Sequence, residues 1–211
     1  MTDTPIADTH PIIPLALLES IRRLDLPARD GLEEFHKELA VKRLGMSQTV
    51  AQQIERFQRL RARGDRVDAT EVEALLRLIG RRVDADLVFS DAGRRAGVLA
   101  VEETAWSARQ ALKALPRGMR NGSGLAVGRR ASRHVFDMEL SRSGGLPAAE
   151  LTETLNVQAT PTGASCAFFG SAVAEILRQL TDFDGAMLHV DCRAKGGTSC
   201  RWRAAASAED A

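Results

Sequence analysis

The stretch whose reading decides the fold is Ala186–Ala204, "AMLHVDCRAKGGTSCRWRA". "AMLHVDC" and "SCRWRA" read as two strands, and "RAKGGT" between them carries Gly196-Gly197, a strong hairpin signal. A hairpin at this point predicts a small antiparallel sheet. It also brings Cys192 and Cys200 near each other across two strands.

Upstream of the hairpin the chain reads mainly as helix. "CAFFGSAVAEILRQLTDFDG", from Cys166, places Phe169, Val173, Ile176, Leu177 and Leu180 on one stripe before Gly185. "SRSGGLP" reads as a loop. "SRHVFDMEL" reads as a strand, with His134, Phe136, Met138 and Leu140 on one face and Arg133, Val135, Asp137 and Glu139 on the other. Residues 85–116 have helical periodicity, with small residues at Ala92, Gly93, Ala96 and Gly97 that suit close helix packing, and Pro116 ends the segment.

Residues 12–83 read as helices separated by polar breaks: "PLALLESIRRL", "GLEEFHKELAVKRL", a helix opening on Ser47 and closing at Gly64, and one capped by Asp68 or Thr70 with the stripe Val72, Leu75, Leu76 and Ile79. His10 and His36 belong to no motif and are expected at the surface. The expected class is mixed α/β (α+β): a helical extension over residues 1–83, a ligand-binding domain over 84–205 with a small antiparallel sheet packed by helices, and a disordered tail at 206–211.

Composition excludes several functions. Lys+Arg 29 against Asp+Glu 28 leaves a net charge of +1 with the signs interleaved, which argues against nucleic acid as a partner. No apolar run is long enough to span a membrane. The opening "MTDTPIADTHPIIPLALLESIRRLD" has acids before its short apolar run and no small-residue cleavage site after it, so a cytoplasmic location is expected.

Three cysteines make an odd set, which argues against a disulfide framework. With the histidine they form C-x22-H-x2-C-x7-C: Cys166, His189, Cys192 and Cys200. Three sulfurs and one imidazole make a closed tetrahedral set suited to structural zinc. His189 and Cys192 have odd spacing, so a bulge or strand end near Asp191 is needed to turn both inward. On spacing alone a second reading stays open, in which the cysteines are small buried hydrophobes and His189 is an ordinary histidine.

Residues 84–203 resemble the 4-vinyl reductase domain family. The features that carry the likeness are "SDAGRRAG", "LKALP", "RHVFDMELSRSG" and above all the C-terminal Cys–Gly–Cys hairpin followed by an aromatic. In aromatic-sensing members zinc is held by a cysteine before the last helix, an acidic residue and the two hairpin cysteines. The resemblance places these at Cys166, His189, Cys192 and Cys200, with imidazole here in the place of the carboxylate. Within the family, the length and helical extension look most like the bacteriochlorophyll-biosynthesis member. The domain is also similar to vesicle-tethering transport-particle subunits, which implies a homodimer around an apolar ligand cavity; helices of residues 12–115 and the Ala92–Gly97 face are its expected interface.

That likeness raises vinyl reduction, which needs a bound hydride donor. The glycine-rich "GSGLAVG", Gly122 to Gly128, follows no apolar strand and is read as a loop, not a nicotinamide site. Tyrosine is absent, and three cysteines are too few for an all-thiolate cluster. The expectation is therefore an accessory protein that binds a chlorophyll-pathway tetrapyrrole, with a true vinyl reductase and a small-molecule sensor as alternatives. Its ligand-binding candidates are His134, Phe136, Met138, Trp106 and Phe169, with His134 able to reach a chlorin metal.

Overall fold

The computed structural model describes residues 7–25, 48–104, 106–152 and 155–205. The expected helix at residues 31–44, His36, the Ser47 cap and the tail at 206–211 lie outside the described residues. The architecture is α+β. Helices α1 (Ile12–Asp25), α2 (Gln48–Arg63), α3 (Ala69–Ile79), α4 (Ala85–Glu102), α5 (Trp106–Ala114) and α6 (Arg117–Phe136) precede the strands β3 (Glu139–Ser143) and β4 (Leu146–Leu151). Then come α7 (Leu155–Ala159), α8 (Cys166–Leu180), β5 (Met187–Asp191) and β6 (Cys200–Ala204). A short ribbon pairs β1 (Asp8–Thr9) with β2 (Val67–Asp68).

Local sequence explains most of these elements. Asp68 caps α3 by accepting from the Thr70 N–H at 2.8 Å. Val72, Leu76 and Ile79 of its stripe are buried. The α1 helix is apolar almost all round, and it is buried between α2 and α4 within a hydrophobic core that runs on to Trp202. His10, expected at the surface, is only 7% exposed: it sits at the start of α1, where its Nδ1 accepts from the Ile12 N–H at 3.3 Å. Asp91 on α4 accepts from Ser20 of α1 at 2.7 Å and pairs with Arg23, tying these two helices together.

The centre of the molecule is the contact between α4 and α8. A Cβ on Gly93 would fall 2.1 Å from the Phe168 carbonyl oxygen, and one on Gly97 would fall 2.6 Å from that of Ala172. Contacts advance by four residues on both helices, so α4 and α8 run parallel. The small-residue face Ala92–Gly97 thus packs closely, as expected, but it does so inside the protomer. It cannot also serve as a surface for a second copy.

The four-stranded sheet is antiparallel in the order β3-β4-β6-β5. Leu140, Ala149, Trp202 and His189 form one row across it, with Leu151 and Cys200 in the next. These side chains face the helices, whereas Arg201, Arg203 and Glu150 face solvent.

Three expectations of secondary structure are corrected. "SRHVFDMEL" is not a strand: α6 continues to Phe136, and Asp137 in the left-handed region (φ 53°) ends it, donating its N–H to Arg133. His134 and Phe136 therefore lie on a helix, Met138 just past its cap and Leu140 on a strand. "GSGLAVG" is not a loop but the interior of α6. Its Gly124 lets α6 approach α8 so closely that a Cβ would lie 1.9 Å from the Leu180 carbonyl oxygen. "SRSGGLP" spans the end of β3 and the start of β4, and only Gly144 (φ 59°) and Gly145 (φ 83°) between them form the turn of the hairpin. No described helix is long and apolar enough to cross a membrane.

Candidate metal centre

Three elements bring the sulfurs together. Cys166 is the first residue of α8, Cys192 follows β5, and Cys200 opens β6. The 3₁₀ turn Arg193–Lys195 folds the loop back so that the Cys192 carbonyl accepts from Lys195 and Gly197 N–H groups at 2.9 and 3.0 Å. Gly196 adopts φ 91°, and a Cβ on Gly197 would strike Asp191 Oδ1 at 2.5 Å, so this turn requires both glycines. The register slips between His189 and Asp191, which is the bulge that the odd spacing demanded. Asp191 holds that bulge: it accepts from the Cys192 N–H at 2.9 Å and pairs with Arg201 at 2.5 Å. These bonds keep its carboxyl below the usual carboxylate range, the Arg201 hydrogen bond contributing most.

The ligand atoms of Cys166, His189, Cys192 and Cys200 all lie within 4.8 Å of one another. Cys166 Sγ is 3.7 Å from Cys200 Sγ and 4.0 Å from Cys192 Sγ. All three cysteines are buried, whereas His189 is exposed at the sheet edge. Its imidazole stacks on Trp202, with centroids 5.0 Å apart and planes 16° from parallel. This group can hold a metal ion.

Electrostatics favour a cation here. The hydrogen bond to Cys200, burial, and the charges of Cys200 and Cys192 push the Cys166 thiol well up. Three thiolates cannot share this space without a positive charge to offset them. The Arg193 N–H donates to Cys200 Sγ at 3.5 Å, and Cys166 sits at the positive end of α8. Sequence reading missed Gly163, whose φ is 81° and whose missing Cβ would stand 3.0 Å from Cys192 Sγ. Its signal was a glycine three residues before Cys166, where only a bare backbone lets the loop approach the sulfurs.

The ligand-binding candidates do not converge. Phe136 and Phe169 are core, with centroids 6.5 Å apart and Phe168 between them in an edge-to-face cluster. Met138 is fully buried. A hollow of about 20 Å³ touches Phe136 and Phe169. His134 is exposed on α6, 5.2 Å from the His10 ring, and Trp106 is 68% exposed on α5. The chain matches no family model, no curated protein and no solved structure.

Proposed function

We propose that this protein is a zinc-braced binding module whose cargo is a chlorophyll-pathway tetrapyrrole, and that it does not itself reduce the pigment. The observation that carries the bracing is the convergence of every cysteine with His189. A tetrahedral ion with metal–sulfur bonds of about 2.3 Å needs sulfurs about 3.8 Å apart. The separations of 3.7 and 4.0 Å fit that edge. Cys166, Cys192, Cys200 and His189 would hold the ion, fill its four positions and leave none for a reacting water.

The binding role rests on the family likeness, together with the lack of a hydride-donor motif among the described residues. Among the described residues the one glycine-rich stretch is helix interior, so its N–H groups serve α6 and do not cradle a pyrophosphate. A flat apolar macrocycle aggregates in water, and handing it between enzymes requires burying its faces. On this reading the protein acts in the cytoplasm as a homodimer, through a surface other than Ala92–Gly97.

The test mixes purified protein with 8-vinyl chlorophyllide and reduced nicotinamide, and follows the pigment spectrum and cofactor oxidation together. The reading predicts a stoichiometric spectral shift with no cofactor consumed. Turnover by the protein alone would overturn it.

A further inference from the structure

A pocket of about 440 Å³ lies between α5, the start of α6 and the end of α8. It is remote from the metal group: Leu180 lines it, about 21 Å from Cys166 along α8 at 1.5 Å per residue. Three arginines face it, Arg109 from α5, Arg120 from α6 and Arg178 from α8, and none of the residues lining it is Asp or Glu. Helical spacing explains the meeting. On α5, Trp106, Arg109 and Gln110 stand at i, i+3 and i+4 and share the face that lines the pocket. Gly124 sets the level of α6 against α8 at Leu180, and Gly128 meets Ile176, so these two helices run antiparallel. Arg120 therefore stands about 6 Å beyond the Leu180 contact, one turn along α6, where it pairs with Asp182 at 3.1 Å. Arg178, in the last turn of α8, bonds Glu175 and the Gly185 carbonyl at 3.1 Å each and adds to the positive wall.

The donors of this cluster are not used up. The Nε atoms of Arg109 and Arg120 are buried, and neither has a hydrogen-bond partner among the described residues. A buried cationic donor left unpaired is costly, and the oxygen of an anion in the pocket is the acceptor it lacks. Guanidiniums gathered without a carboxylate among the lining residues also repel one another unless an anion sits between them. Trp106, 68% exposed, stands at the rim and offers an uncovered indole face beside the charges.

We propose that this pocket binds the phosphate group of a phosphorylated small molecule. The phosphate sits between Arg109 and Arg120, Arg178 supplies further positive charge, and the organic part of the molecule covers Trp106. A phosphate suits the pocket better than a carboxylate does. One guanidinium fork satisfies a planar carboxylate, whereas three phosphate oxygens carrying nearly two negative charges match donors arriving from separate helices. The proposal is independent of the pigment reading, since the pocket and the metal group lie at opposite ends of α8.

The experiment is calorimetric titration of the full chain with phenyl phosphate, inorganic phosphate and benzoate at one ionic strength. Phenyl phosphate should bind one to one, at least about tenfold more tightly than benzoate. Arg109→Gln should weaken phenyl phosphate by about tenfold or more, whereas Arg22→Gln, at an exposed arginine outside the pocket, should leave it unchanged. Trp106→Ala should weaken phenyl phosphate by about threefold or more and leave inorganic phosphate as it was. Equal affinity for phenyl phosphate and benzoate overturns the proposal. So does equal weakening by Arg22→Gln and Arg109→Gln, which would show diffuse attraction to positive surface. Inorganic phosphate binding as tightly as the ester, with Trp106→Ala changing neither, overturns the assignment to a phosphorylated molecule. The comparison of phenyl phosphate with benzoate on the parent chain decides the case even if a variant fails to fold.

Discussion

His189 stacks on Trp202 directly across the β5–β6 pair, so the exposed member of the metal group is oriented by an aromatic face instead of by burial. Trp202 is itself locked against Gly170, where a Cβ would approach its Nε1 to 2.8 Å. The imidazole at the sheet edge is thereby fixed through two contacts to α8, the helix that supplies Cys166.

His189→Ala should leave three thiolates with an incomplete shell and weaken metal binding by at least about tenfold. His189→Asp should recover much of the loss, since a carboxylate is also a competent ligand. Competition against a chromophoric chelator reads both. Equal affinities for parent and His189→Ala would remove His189 from the shell.

If one ion ties them, as proposed, Cys192→Ser should loosen the β5–β6 hairpin and the start of α8 together. The cost should be near the upper end for single substitutions, about 4 kcal/mol. Hydrogen exchange would show protection lost in both segments. Loss confined to the hairpin would argue that no shared ion joins them.

Gly93→Ala and Gly122→Ala should move stability in opposite directions. The first drives a methyl into the Phe168 carbonyl and should cost about 3 kcal/mol or more. The second meets nothing within 4 Å in the same kind of helical backbone, and should gain up to about 1 kcal/mol from helix propensity. Thermal melts of the two variants check the pair.

His10 makes stability depend on pH. Burial, then the neighbouring His134, lowers its pKa from 6.5 to about 4 in the folded chain, with Arg66 and Arg61 acting the same way and Glu103 opposing them. The unfolded chain therefore binds more protons between these values, so His10 contributes stability that is present above about pH 6.5 and lost as pH falls to about 4. His10→Asn keeps an acceptor for the Ile12 N–H without titrating. Its stability relative to the parent should improve steadily across that window, and a pH-independent difference would contradict this.

The C-terminal hairpin was legible because Gly196-Gly197 and the alternation around it state a turn and two strands locally. The metal group was legible for a related reason: every cysteine fell into one spacing, and the odd gap from His189 to Cys192 announced a bulge. The stretch from Ser132 to Leu140 misled because burial at Phe136, Met138 and Leu140 mimics a strand period across a helix end, and the left-handed turn at Asp137 has no strong residue signal. "GSGLAVG" misled because its glycines serve contact with α8, information held in the partner helix. The strand β4 stayed hidden behind Pro147 and Ala148-Ala149, which have weak strand propensity and are held by β3 and β6.

On the proposed function, one zinc ion joins α8 to the β5–β6 hairpin. Metal analysis of protein purified without added zinc, followed by a melt before and after chelation, tests it most directly. The account predicts about one zinc per chain, as expected of tight thiolate sites, and a clear fall in melting temperature when the ion is removed. Metal-free protein whose melting is unchanged by chelator would contradict it.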